Sequence, residues 1–228
     1  MDVKKLIILF LFIASFSANA QLQLTTESKV SILTIGPGTS LNDAFGHNAI
    51  RIKDPVYKFD IVFDYGRYDF ETENFYLKFA QGKLDYERGQ CEYDSFVSYY
   101  QYHNRSVREQ LLNLNTEQKT TLYHLLKENI KPENKSYPYD FFYNNCATKI
   151  KDDIENVLDH QVVYNPAPTF KPFSFRNLIR SDLNLNSWGS FGIDIALGSK
   201  IDQIASVEEH MFLPKYLHQL LENARLKT

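Results

Sequence analysis

Two cysteines, Cys91 and Cys146, are all that this 228-residue sequence contains. That scarcity excludes a disulfide scaffold and a structural zinc site built from four thiolates. No G-x-S-x-G element is present, which removes the usual serine-hydrolase arrangement, and no glycine-rich loop is there to cradle a phosphate. Histidine, cysteine and carboxylate side chains nowhere recur at short ligand spacing, so neither metal nor cofactor is expected. The formal charge is only −3 and its signs are mixed, which argues against nucleic acid as a partner. Past the N-terminus no stretch approaches the ~18 consecutive apolar residues of a membrane span. Internal repeats, low-complexity tracts and long charged linkers are absent too.

What is present begins with an export signal. Lys4 and Lys5 form a basic start, Leu6 to Phe16 is an apolar run, and Ala18 and Ala20 give the A-x-A pattern of a signal peptidase site. The run is about half the ~20 residues needed to cross a bilayer. Residues 1–20 therefore read as a cleavable signal peptide and 21–228 as a single exported domain. Loss of Lys4, Lys5 and Asp2, a net of +1, takes the charge from −3 to −4. Aromatic residues make up 14% of the chain, enough to furnish a core and the surfaces of a sheet.

Strand patterns come first along the chain. Val30 to Ile35 reads as a strand closed by Gly36-Pro37-Gly38, and His47 to Ile52 as a second. In a third, Tyr57 to Tyr65, Phe59, Ile61 and Phe63 take one face and Asp60, Val62 and Asp64 the other. Phe75 to Tyr93 suggests more strands in a meander, and Val107 to Leu114 another. Helical patterns follow. Asn115 or Thr116 caps a helix to about Ile130, with Leu122, Leu125 and Leu126 as its apolar stripe. Asn144-Asn145 opens a second, with Cys146, Ile150, Ile154 and Leu158 inward and Lys149, Lys151, Asp152, Asp153 and Glu155 on the polar face. Ser174 caps a short helix, and Pro214 suits the first turn of a last one. Strands followed by helices point to an α+β fold, an antiparallel sheet packed against helices.

The candidate for chemistry is Cys146. At a helix start its sulfur lies near free backbone N–H groups and the positive helix end, which favour the thiolate. A free cysteine there can equally be a small buried hydrophobe. Among six histidines, His124, His160, His210 and His218 read as solvated surface residues, and His103 sits in a loop. His47 differs, because it opens a strand behind Gly46 and would hold an imidazole rigidly as a base. Asp64 on the next strand could orient it, with Asp60 on the same face. Arg51, Arg67 and Arg105 could meet phosphate head groups, and Asn145, Arg51 and Arg105 are the candidates for contacting substrate. A disulfide between Cys91 and Cys146 is not expected, since it would need Cα atoms within ~7 Å.

At Phe45-Gly46-His47-Asn48-Ala49-Ile50-Arg51-Ile52 and Asn144-Asn145-Cys146 the sequence resembles the Lnb N-terminal periplasmic domain family of Gram-negative bacteria. The resemblance continues through Asp64-Tyr65-Gly66, Tyr139-Asp140-Phe141-Phe142, Ser187-Trp188-Gly189 and Phe212-Leu213-Pro214-Lys215. It implies a permuted papain-like, NlpC-type thiol fold in which Cys146 is the nucleophile and His47 the base. It also implies transfer of a fatty acyl chain, with phospholipid acyl chains or lipoprotein N-termini as partners. A thiol hydrolase (peptidase or amidase) and a non-catalytic binding module of the same fold are the alternatives.

Overall fold

Three stretches of branched apolar residues make the centre of a sheet. Their strands are β1 (Lys29–Ile35), β2 (His47–Asp54) and β3 (Phe59–Arg67). In the computed structural model, which describes residues 21–41, 43–68, 71–74, 78 and 84–227, they are joined by β4 (Asp85–Glu92), β5 (Val107–Leu111) and β6 (Ser136–Pro138). The order is β5-β1-β2-β3-β4-β6 and every pairing is antiparallel. The expected signal peptide lies outside the described residues, as does most of the stretch before β4. Tyr93 does not end a strand, as its β-favouring neighbours suggested. It starts helix α1 (Tyr93–Tyr102), whose buried Phe96 and Tyr100 lie four apart.

The other helices are α2 (Thr116–Asn129), α3 (Cys146–Val157), α4 (Phe175–Arg180), α5 (Trp188–Leu197) and α6 (Pro214–Leu221). A short hairpin pairs β7 (Val162–Val163) with β8 (Arg225–Leu226). The class is α+β, and among the described residues no helix is long and apolar enough to cross a membrane.

Strand alternation divides the sheet into two faces. Val30, Ile32, Ile50, Ile52, Phe63 and Tyr65 meet Leu122 and Leu126 of α2, Ile150 and Ile154 of α3, and Leu217 and Leu220 of α6. Leu33, Ile35, Ala49 and Val62 face the other way, under Phe96 and Tyr100 of α1. A separate cluster around Phe175, Leu178, Ile201, Phe212 and Leu213 takes in Phe45, Phe141 and Phe142 from the loops that lead into β2 and α3. Not every aromatic is buried, since Trp188 is 88% exposed. His210 is a correction to the surface assignment. It is fully buried, with Nδ1 2.6 Å from the Ser206 carbonyl and Nε2 accepting from the Phe173 amide.

The end of β2 is fastened to the first described residues. Asp54, fully buried, accepts from the Thr25 amide (2.8 Å), the Thr25 hydroxyl (3.0 Å) and the amides of Val56 and Tyr57. Burial alone would push its carboxyl up, but these bonds hold it below the usual range. Removing the carboxylate in Asp54→Ala leaves those donors unanswered and should cost about 2 kcal/mol at pH 7 in denaturant unfolding. A carboxyl with a depressed folded-state pKa contributes above its unfolded value, so the gap between wild type and variant should close as pH falls below about 4.

Candidate functional site

Cys146 is the first residue of α3, and the side chain before it builds the helix start. Asn145 accepts from the amides of Ala147 (2.8 Å) and Thr148 (3.0 Å), while the Thr148 hydroxyl accepts from the Asn145 amide (2.8 Å), completing a capping box. The Asn145 carboxamide also donates to the carbonyls of Phe141 (2.7 Å) and Phe212 (2.8 Å). Its side chain is therefore committed to positioning Cys146, and at 3% exposure it is not presented to a substrate.

His47 is the first residue of β2, preceded by Gly46 at φ +80°, where a Cβ would meet the Ile35 carbonyl at 2.5 Å. Register places His47 opposite Ile35, and Asp64 opposite Ala49. His47 and Asp64 thus share the α1 face, two positions apart across the β2–β3 pair. Helix α3 covers the opposite face. Histidine and thiol meet because each begins its element, at one end of the sheet. Gly66, at φ +90° and at a register shift in β3, lies beside the thiol, since a Cβ there would be 4.0 Å from that of Cys146.

The electrostatics favour a charged pair. Burial alone would raise the Cys146 thiol, but the His47 charge and hydrogen bond, with the amides of Asn48 and Ala147 directed at the sulfur, bring it below the ordinary value. Burial opposes the His47 imidazolium as well. Tyr100, the Cys146 sulfur and the nearby Asp64 carboxylate overcome it and hold the imidazole well above its usual value. Asp64 Oδ2 lies 3.8 Å from His47 Nε2. Burial pushes its carboxyl up, while His47 and Arg67 pull it further down. Arg67 donates from Nε to Asp64 Oδ1 at 2.8 Å.

The remaining sequence candidates separate. Asp60 pairs with Arg51 and Lys53, away from His47. Arg51 donates to both Asp60 oxygens (2.7 and 2.6 Å) and to Glu109 (3.0 Å), and lies 3.4 Å over the Tyr93 ring. It ties strands together rather than facing a ligand. Arg105 donates to the Gly36 carbonyl (2.9 Å) and stacks on Tyr100 at 5.0 Å. Cys91 and Cys146 are both free thiols. Tyr100 was not anticipated. Its ring centroid is 6.4 Å from that of His47, and only an amphipathic reading of residues 93–102 could have pointed to it.

A family model for the Lnb N-terminal periplasmic domain matches residues 16–181. The chain belongs to that family. His47, Asp64 and Cys146 all fall within the match, whereas α5 and α6 lie beyond it. No curated protein and no solved structure matches the chain. Among the described residues of this family member, no group of three or more histidine, cysteine or carboxylate side chains is placed to hold a metal ion.

The arrangement can hold a thiolate, supply and take up a proton at imidazole, and present backbone N–H groups to an anion. Loss of the imidazole in His47→Ala should raise the thiol pKa. Alkylation of Cys146 by iodoacetamide at pH 6.5 should fall at least about tenfold, the consequence of one pKa unit. Peptide mapping should show Cys91 reacting as in wild type.

Proposed function

We propose that this protein is an exported thiol enzyme that moves acyl groups through a thioester on Cys146. The observation that carries the reading is geometric: the Cys146 thiol at the start of α3 lies beside His47 at the start of β2, with Asp64 Oδ2 3.8 Å from the imidazole, and each group shifts the other toward its charged form. The thiolate attacks an acyl carbonyl, and the backbone amide of Cys146 itself, at the positive end of α3, helps hold the oxyanion, a contribution worth roughly 3 kcal/mol per donor in well-studied cases. The His47 imidazolium then gives its proton to the leaving alcohol or amine as the tetrahedral intermediate collapses, leaving the thioester and a neutral imidazole. In the second half, His47 takes a proton from the incoming amine or water, which attacks the thioester carbonyl and releases the thiolate. Asp64, itself held by Arg67, orients the imidazole and stabilises its charge. A helix-borne thiol against an antiparallel sheet, with histidine first in the chain, is consistent with a permuted papain-like arrangement.

Lipid or lipoprotein acyl groups are the substrate class we favour. Support comes from α5, where Trp188, Phe191 and Ile195 are 88%, 56% and 65% exposed at helical spacing, an apolar stripe suited to acyl-bearing partners. Export would put the protein in the same compartment as those substrates.

Intact-mass spectrometry after incubation with phospholipid vesicles tests the reading. A fatty-acyl increment should appear on wild type and be absent from Cys146→Ala and His47→Ala. No increment, with Cys146 still readily alkylated at mild pH, would transfer the assignment to amide or peptide hydrolysis. An inert Cys146 would leave a binding module of the same fold.

A further inference from the structure

Asp153 breaks the amphipathic pattern of α3. Sequence spacing placed it on the polar face, but it is buried, with only 6% of its surface exposed. The Tyr65 hydroxyl, itself at a position 1% exposed, donates to its carboxylate. Asn129 at the end of α2 donates to the Tyr65 oxygen at 3.3 Å. One strand and two helices, β3, α2 and α3, are thereby joined at one phenol, deep in the larger core.

Placement along β3 gives that bond its meaning. Residue 64 faces His47, residue 66 lies against Cys146, and Tyr65 between them points from the other face of the sheet to the Cys146 helix. Asp153 is seven residues beyond Cys146, about 10 Å along the axis. The bond therefore locks the β3 segment carrying the histidine's carboxylate to the helix carrying the thiol. A phenylalanine would fill the same space, as Phe63 does two positions earlier on the same face. Burying a carboxyl here is costly, and burial pushes it up to about 6 despite Tyr65, Arg88 and Lys149 nearby. In some proteins a buried polar pair that packing does not require serves to specify geometry rather than to add stability.

We infer that Tyr65 is a positioning residue, whose hydroxyl bond to Asp153 sets the relation of the Asp64–His47 pair to the Cys146 thiol. The inference rests on the reading of Cys146 and His47 as the reacting pair.

The test is the pH profile of Cys146 alkylation by iodoacetamide between pH 5 and 9, read by peptide mapping, with thermal unfolding alongside. Tyr65→Phe and Asp153→Leu should move the midpoint upward and cut labelling at pH 6.5 about tenfold, one pKa unit's worth. Asp153→Asn still offers an oxygen to the phenol and should keep the wild-type profile. Lower thermal stability with an unmoved profile in both Tyr65→Phe and Asp153→Leu would overturn the inference, leaving a packing role only. Should Tyr65→Phe fail to fold, the contrast between Asp153→Leu and Asp153→Asn decides. An ordinary thiol midpoint in wild type itself would instead remove the ion-pair reading, and this inference with it.

Discussion

Asn145 is the junction on which the site depends. One carboxamide satisfies two orphan amides at the start of α3 and two carbonyls, those of Phe141 and Phe212, from segments far apart in the chain. A helix start left without such a cap is typically less stable by about 1 kcal/mol. More is at stake here, because the next residue is the thiol. The same four bonds join the aromatic loop ahead of α3 to the second core around Phe175 and Phe212. Packing in a region with no chemistry of its own thus fixes where Cys146 starts its helix.

Burial and charge oppose each other throughout the centre. Cys146 and His47 each lose solvation, which by itself favours the neutral forms. Each is also the other's counter-charge, and Asp64 adds a carboxylate whose own burial is relieved by Arg67. Proximity shifts both groups toward their charged forms against that penalty, because Coulomb attraction between close groups is strong where water is excluded. Arg51 and Arg67 also show why arginine in a sequence seldom names a ligand. Both are occupied by carboxylates of the same sheet.

A two-faced sheet accounts for the site's location. The histidine belongs to the α1 face and the thiol to a helix on the other. Only at the sheet's end, where β2 begins and a glycine interrupts β3, can the two reach each other without a side chain between them. Family membership covers residues 16–181 and hence every residue of this junction except the Phe212 carbonyl.

Much of this was legible in the sequence. Alternation exposed the three central strands, and four-residue spacing with asparagine caps exposed α2 and α3, because local periodicity and capping act within one turn or one strand. His47 and Cys146 could be singled out by residue type and by the starts of their elements, and Asp64 by its place on the strand next to His47. Other features depend on partners distant in the chain. Asp153 reads as polar surface until Tyr65, 88 residues earlier, is found beside it, and His210 reads as surface until the Phe173 amide meets it. Tyr93 to Tyr102 carries β-favouring aromatics, and packing on Leu33 and Val62 makes it a helix. Short-range periodicity and capping were enough for the central strands, for α2 and α3 and for the reactive residue types, but not for α1 or α5. Tertiary structure alone decided that thiol, imidazole and carboxylate meet with the charges their burial would otherwise oppose, since proximity and exclusion of water arise only when distant segments pack.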